Sequence, residues 1–190
     1  CVVLMKPDTG EILAMSNRPH YNLNIRSKVA EHGFNYALQA TYEPGSTFKT
    51  IAAAAAVNEG LVNVETMIDC HNGYYREGRV WLREKYVKGI IPVWKSLQKS
   101  NNIGSYMLAK KLGSEQYFEY ARGFGFGQKT NVQLAGESSG NLRNTGNPTD
   151  FSRIAYGYGV SVTPLQIANA YCAIANGGKL MQPYIVKRIE

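Results

Sequence analysis

Ser46 and Lys49 stand three residues apart in Ser46-Thr47-Phe48-Lys49, the Ser-x-x-Lys spacing of serine acyltransferases. A serine hydroxyl becomes a nucleophile only when a base takes its proton. Pro44-Gly45 breaks the chain just before Ser46, and five consecutive alanines, Ala52 to Ala56, follow Lys49, which predicts a buried helix from Ser46 to Asn58. In such a helix the two side chains share a face, with Cβ atoms about 5–6 Å apart, so the Lys49 amine is within reach of the Ser46 oxygen. The unpaired N–H groups at the start of that helix favour negative charge developing there. A free lysine titrates near about 10.4, so a base working near neutrality must come down by about three units, the direction in which burial beside Phe48 and the alanines acts. The plainer alternative is a serine that caps the helix and a lysine that snorkels to water.

The spacing alone does not select this pair, because Ser96-Leu97-Gln98-Lys99 repeats it. That second pair lies in an amphipathic stretch after Pro92 with no glycine-flanked turn before it, as expected of a solvated helix face. Ser100-Asn101-Asn102 comes next, at a predicted turn between helices, where one hydroxyl and one amide can point into a cleft. Ser139-Gly140-Asn141 has the same Ser-x-Asn form, so the motif is weak by itself. Other chemistries fit less well. Gly45 to Thr50 lacks the glycine that must precede the lysine of a phosphate-binding loop. Gly123-Phe124-Gly125-Phe126-Gly127 follows a predicted helix and lacks the dinucleotide-binding spacing. His20, His32 and His71 form no metal-ligand pair and have no Gly-x-Ser-x-Gly elbow to join, and Cys1, Cys70 and Cys172 form no Cys-x-x-Cys, so neither metal chemistry nor an ordinary serine–histidine triad is expected.

The elements that must hold these residues are legible in outline. Apolar residues in Cys1–Lys6 and Glu11–Ser16 flank Pro7-Asp8-Thr9-Gly10, which predicts a hairpin, and a second is expected over Tyr74–Leu82 with its turn at Glu77-Gly78. A long loop with one short helix is expected from Asn17 to Tyr42. Helices are predicted over Pro92–Lys99, Ile103–Leu112 and Ser114–Arg122, and from Thr163 as N-cap with Pro164 at the first position to Gly177-Gly178. Few strands among many helices point to an α+β architecture. The 190 residues, 44% of them hydrophobic, suffice for one domain's core, and the longest uncharged stretch, Ile154 to Gly178, is too polar to span a membrane. The net charge of +7 would suit an anionic partner, but lysine and arginine are scattered along the chain, which argues against nucleic acid. The start lacks the features of a leader peptide, so the chain reads as mature or as cut from something longer.

Taken in order, Asp8-Thr9-Gly10-Glu11-Ile12-Leu13-Ala14-Met15, Tyr42 to Lys49 and Ser100-Asn101-Asn102-Ile103-Gly104 resemble the transpeptidase domain of penicillin-binding proteins. The likeness continues through Phe124 to Gly127, Leu134 to Glu137, Gly157 to Val160 and Val162 to Gln166, nearly the whole chain, and is most similar to the monofunctional class B enzymes. It implies a penicillin-binding-protein/β-lactamase-like fold, an antiparallel sheet flanked by helices. By resemblance Ser46 is the nucleophile and Lys49 its base, while Ser100 and Asn102 relay protons and hold the substrate amide. The implied reaction is crosslinking of peptidoglycan stem peptides at D-Ala-D-Ala, with acylation by β-lactams and no cofactor. The implied setting is the periplasmic face of the bacterial cytoplasmic membrane, with an anchor outside this chain and other cell-wall synthesis proteins as partners, in elongation or division. The family's Lys-Thr/Ser-Gly motif occurs nowhere in the chain. Residues 1–190 are therefore expected to be the N-terminal and central part of a single transpeptidase domain, with its last strands missing. A β-lactam sensor, a catalytically silent scaffold and, third, a β-lactamase are the rival readings.

Overall fold

A computed structural model describes residues 1–22, 24–85 and 89–188. In chain order its elements begin with β1 (Val2–Met5), β2 (Ile12–Ser16) and α1 (Arg26–His32). A 3-10 turn (Gly45–Phe48) leads into α2 (Lys49–Asn58), followed by β3 (Met67–Asp69), β4 (Tyr74–Glu77), β5 (Val80–Arg83) and β6 (Ile90–Pro92). Then come α3 (Val93–Gln98), α4 (Asn102–Leu112), α5 (Ser114–Gly123), α6 (Pro148–Ile154) and α7 (Pro164–Ala175). Two compact units divide the chain: Cys1–Tyr42, Gly123–Asn141 and Ser161–Glu190 form one, and Glu43–Arg122 with Leu142–Val160 form the other.

The first unit is built on the expected hairpin and the last helix. β1 and β2 pair antiparallel, with Val3 opposite Met15 and a register shift after Leu4. The turn closes through Gly10 N–H to Lys6 O at 2.9 Å. Gly10 has φ +79°, and a Cβ there would lie 2.5 Å from the Gln182 carbonyl oxygen, so no other residue fits. α7 starts as its sequence predicts: Thr163 Oγ1 accepts from Gln166 N–H, the Gln166 side chain accepts from Thr163 N–H, and Pro164 takes the first turn. α7 packs Leu165 and Cys172 against Met5, Leu38 and Val132, the core of this unit. Gln166 then donates to the carbonyls of Gln128 (2.7 Å) and Ser139 (2.9 Å), which ties two loops to the helix start.

The second unit carries the Ser-x-x-Lys pairs. α2 buries Ile51, Ala52, Ala53, Ala55 and Ala56, and its small side chains let it pack closely on α4. α4 in turn buries Ile103, Tyr106, Leu108 and Ala109. Next to it Tyr106, Tyr117, Phe118 and Phe151 form a cluster of edge-on and tilted rings, with Tyr117 fully buried and its hydroxyl donating to Ile154 O at 3.3 Å. β4 and β5 form the second expected hairpin, Tyr74 opposite Arg83 and Glu77 opposite Val80. β3 and β6 pair antiparallel, Ile68 opposite Ile91, a sheet the sequence did not suggest. α6 was also unforeseen, although Asn147 accepts from Thr149 N–H as N-cap and Pro148 opens the helix. None of the helices among the described residues is long and apolar enough to cross a membrane.

Candidate active site

Ser46 sits in the 3-10 turn, not in the first turn of an α-helix; α2 begins only at Lys49. The expected single helix from Ser46 is thus corrected to a 3-10 turn that leads into α2, a frequent form of helix start, and the loop before it is closely held. Gly45 N–H donates to Gly157 O at 3.0 Å, and the Glu43 carboxylate accepts from Gly159 N–H at 2.8 Å. Gly157, at φ +88°, comes so near that a Cβ on it would lie 2.0 Å from the Gly45 carbonyl oxygen. Thr47 Oγ1 donates to Pro44 O at 2.9 Å, and Phe48 is fully buried beneath the turn. The outcome is an exposed Ser46 on a tightly fixed backbone. Its hydroxyl has no hydrogen-bond partner among the described residues and is free to meet a ligand.

Lys49 does not snorkel. Its side chain is 3% exposed, and Nζ donates to the Ser100 carbonyl oxygen and to Ser100 Oγ, the latter at 2.9 Å. Burial brings its pKa down from 10.5 to about 8, against the opposing pull of the negative charge on Glu84. The amine therefore bridges to the Ser-x-Asn motif, and no hydrogen bond joins it to Ser46 Oγ among the described residues. The direct serine–lysine contact expected from spacing is replaced by a contact across 51 positions of sequence.

Ser100 offers both oxygens because it lies at φ +53° in the tight turn from α3 to α4. Ser100 N–H donates to Leu97 O and Asn101 N–H to Ser96 O, both at 2.9 Å. Asn101, buried, caps α4 by accepting Gly104 N–H at 2.8 Å. Asn102 opens α4 half-buried, and its N–H donates to Glu84 Oε2 at 2.8 Å. Ser46, Lys49, Ser100 and Asn102 all lie in the second unit, with the Lys49–Ser100 contact joining the two motifs. Glu84 was missed by the sequence reading. Lying just beyond β5 and remote in sequence from both motifs, it gives no local sign of its role.

The competing pair separates cleanly. Lys99 is exposed as expected, but Ser96 is 2% exposed, correcting the expectation of a wholly solvated face. Ser96 packs on α4 where a Cβ at Gly104 would lie 1.9 Å from its Oγ. Among the described residues, no group of three or more His, Cys, Asp or Glu side chains is placed to hold a metal ion.

Residues 1–190 match the family described as the penicillin binding protein transpeptidase domain. The chain belongs to this family. This transpeptidase-domain chain is 40% identical to stage V sporulation protein D of Bacillus subtilis over 97% of its own length and 30% of that protein's. To the peptidoglycan D,D-transpeptidase FtsI of Escherichia coli it is 32% identical, over 99% of the chain and 32% of FtsI. It thus spans about a third of the length of these curated relatives. Among solved structures it is similar to penicillin-binding protein 3 of Mycobacterium tuberculosis in complex with aztreonam, with TM-score 0.88 and 33% identity, covering 97% of this chain and 42% of that one. The α+β fold is that of penicillin-binding-protein transpeptidase domains.

Proposed function

We propose that this chain carries the serine nucleophile of a peptidoglycan D,D-transpeptidase that crosslinks stem peptides at D-Ala-D-Ala and is acylated by β-lactams. The observation that carries the reading is the exposed Ser46 one turn before a buried Lys49 whose amine is held by Ser100, with burial lowering the lysine pKa to about 8. With its pKa brought down to about 8, Lys49 has free amine available near neutral pH, and more as pH rises.

In this reading Ser46 Oγ attacks the carbonyl carbon of the penultimate D-Ala, and its proton passes to the neutral Lys49 amine. The Ser46 backbone N–H is one donor to the oxyanion that forms, an interaction whose loss typically costs about 10²–10³ in rate. The tetrahedral intermediate collapses by breaking the C–N bond, and the leaving D-Ala amine takes a proton through Ser100 Oγ, which Lys49 already touches. An amine from a neighbouring stem peptide then attacks the Ser46 ester and restores the hydroxyl. Asn102 holds the substrate amide, its place fixed by the Glu84 carboxylate on its N–H.

Residues 1–190 are read as the N-terminal and central part of one transpeptidase domain, the second oxyanion donor coming from a Lys-Thr/Ser-Gly strand outside them. The relatives' much greater length supports this. So does their extracytoplasmic polymer substrate support a periplasmic location, with a membrane anchor and cell-wall synthesis partners beyond the chain. The test is labelling of the full-length parent with a fluorescent penicillin, followed by turnover of a D-Ala-D-Ala donor peptide with an amine acceptor. Label on Ser46 and formation of a crosslinked product are expected. Undiminished labelling in Ser46→Ala, or acylation with no crosslinked product, refutes the assignment.

A further inference from the structure

The hairpin of β4 and β5 presents two unlike faces. Its inner positions, Tyr75, Val80 and Leu82, are buried against the second unit. Glu77 belongs to that inner side too, where its carboxylate accepts from Tyr75 Oη and pairs with Lys110. Glu84, next in the same alternation, reaches Asn102. The outer positions are Tyr74, Arg76, Trp81 and Arg83, all exposed, with Arg79 added at the turn.

The outer residues form a checkerboard. Arg76 stands opposite Trp81, and Tyr74 opposite Arg83. The two rings meet edge to face at 6.1 Å across the diagonal, which leaves a guanidinium on each side of an aromatic ridge. Trp81 is 60% exposed and Tyr74 52%. None of the three guanidinium groups has a hydrogen-bond or ion-pair partner among the described residues, and both acids of the hairpin point the other way. Tyr74, Arg76, Gly78, Arg79 and Trp81 line an open groove along this face.

Unpaired like charges flanking exposed rings define the chemistry that would complement them: carboxylates for the guanidinium forks, and flat apolar ring faces for the aromatics. A saccharide chain carrying carboxylates has both. A protein partner commonly needs about 20–30 residues a side, far more than this patch offers. Arg83, on the outer face, directly precedes Glu84, which turns inward to Asn102.

We infer that the outer face of the β4–β5 hairpin is a binding subsite for a carboxylate-bearing saccharide polymer, the peptidoglycan strand whose stem peptides are crosslinked. The identity of the polymer rests on the proposed transpeptidase function; the anionic saccharide chemistry rests on the face itself.

The test measures binding of soluble, uncrosslinked peptidoglycan strands with intact stem peptides to the full-length parent, to Trp81→Ala, and to the double variant Arg76→Glu/Arg83→Glu. Affinity is expected to fall at least tenfold in each variant. Neutral chitin oligomers, polyglutamate and single-stranded DNA are each expected to bind the parent at least tenfold more weakly than the strands. Penicillin labelling of Ser46 should be unchanged in both variants, which also shows that they fold. Equal strand affinity in the parent and both variants overturns the subsite. So does polyglutamate or DNA binding as tightly as the strands, which would mark an acidic-peptide or nucleic-acid surface. Strand binding that depends on the hairpin, in a parent that penicillin does not label, would sink the proposed function and leave the saccharide subsite standing.

Discussion

Two Ser-x-x-Lys pairs in one chain meet opposite environments. At Ser46–Lys49 the serine is exposed and the lysine 3% exposed; at Ser96–Lys99 the serine is 2% exposed and the lysine exposed. A nucleophile must be reachable, and a lysine base must be kept from water so that its charged form is disfavoured. The first pair meets both demands and the second neither. Spacing supplies proximity in each case, but only the orientation of the element against its neighbours decides which atom is dry.

The largest effect that tests this contrast comes from the two lysines. Lys49→Ala should lower the rate of penicillin acylation by about 10²–10⁴, whereas Lys99→Ala should leave it within twofold of the unaltered protein, read by gel fluorescence over time. An essential Lys99 would break the comparison. Second is the backbone beneath Ser46. Gly157→Ala puts a methyl group 2.0 Å from the Gly45 carbonyl oxygen at φ +88°, and should cost on the order of 2 kcal/mol or more in denaturant unfolding. Acylation should slow as the Ser46 turn is pushed aside.

Next in size is the loss of the α4 cap. Asn101→Ala removes the acceptor for Gly104 N–H and should destabilise the protein by about 1 kcal/mol. The subtlest test is pH. The base form of Lys49 grows as pH rises through about 8, so the acylation rate should climb through that value and level off above it. The Glu84 charge favours the ammonium form, so Glu84→Gln should move the midpoint of the climb to lower pH. A midpoint that moves upward, or a rate flat with pH, would detach Lys49 from the role of base.

Much of the frame was legible because its signals are local. Pro7 to Gly10 announces the first hairpin turn, Gly78 the second, and Thr163, Pro164 and Gln166 write out the start of α7 within four residues. The pairing of β3 with β6 was not legible: each strand is three residues long, too short for an alternation to register, and Asp69 lies 21 residues before its partner Ile90. α6 carried a local sign in Asn147-Pro148, but one short helix among polar loops gave no apolar period to support it.

The order of residue types by itself determined which Ser-x-x-Lys and Ser-x-Asn groups are present, where the chain must turn, and which stretch of alanines must be covered, because each follows from a few neighbouring side chains and their backbone preferences. Only the folded packing decided that Lys49 is dry, that its amine rests on Ser100, and that Glu84 sits under Asn102. Those contacts join positions far apart in the chain, and the burial that lowers a lysine pKa is a property of everything packed around it.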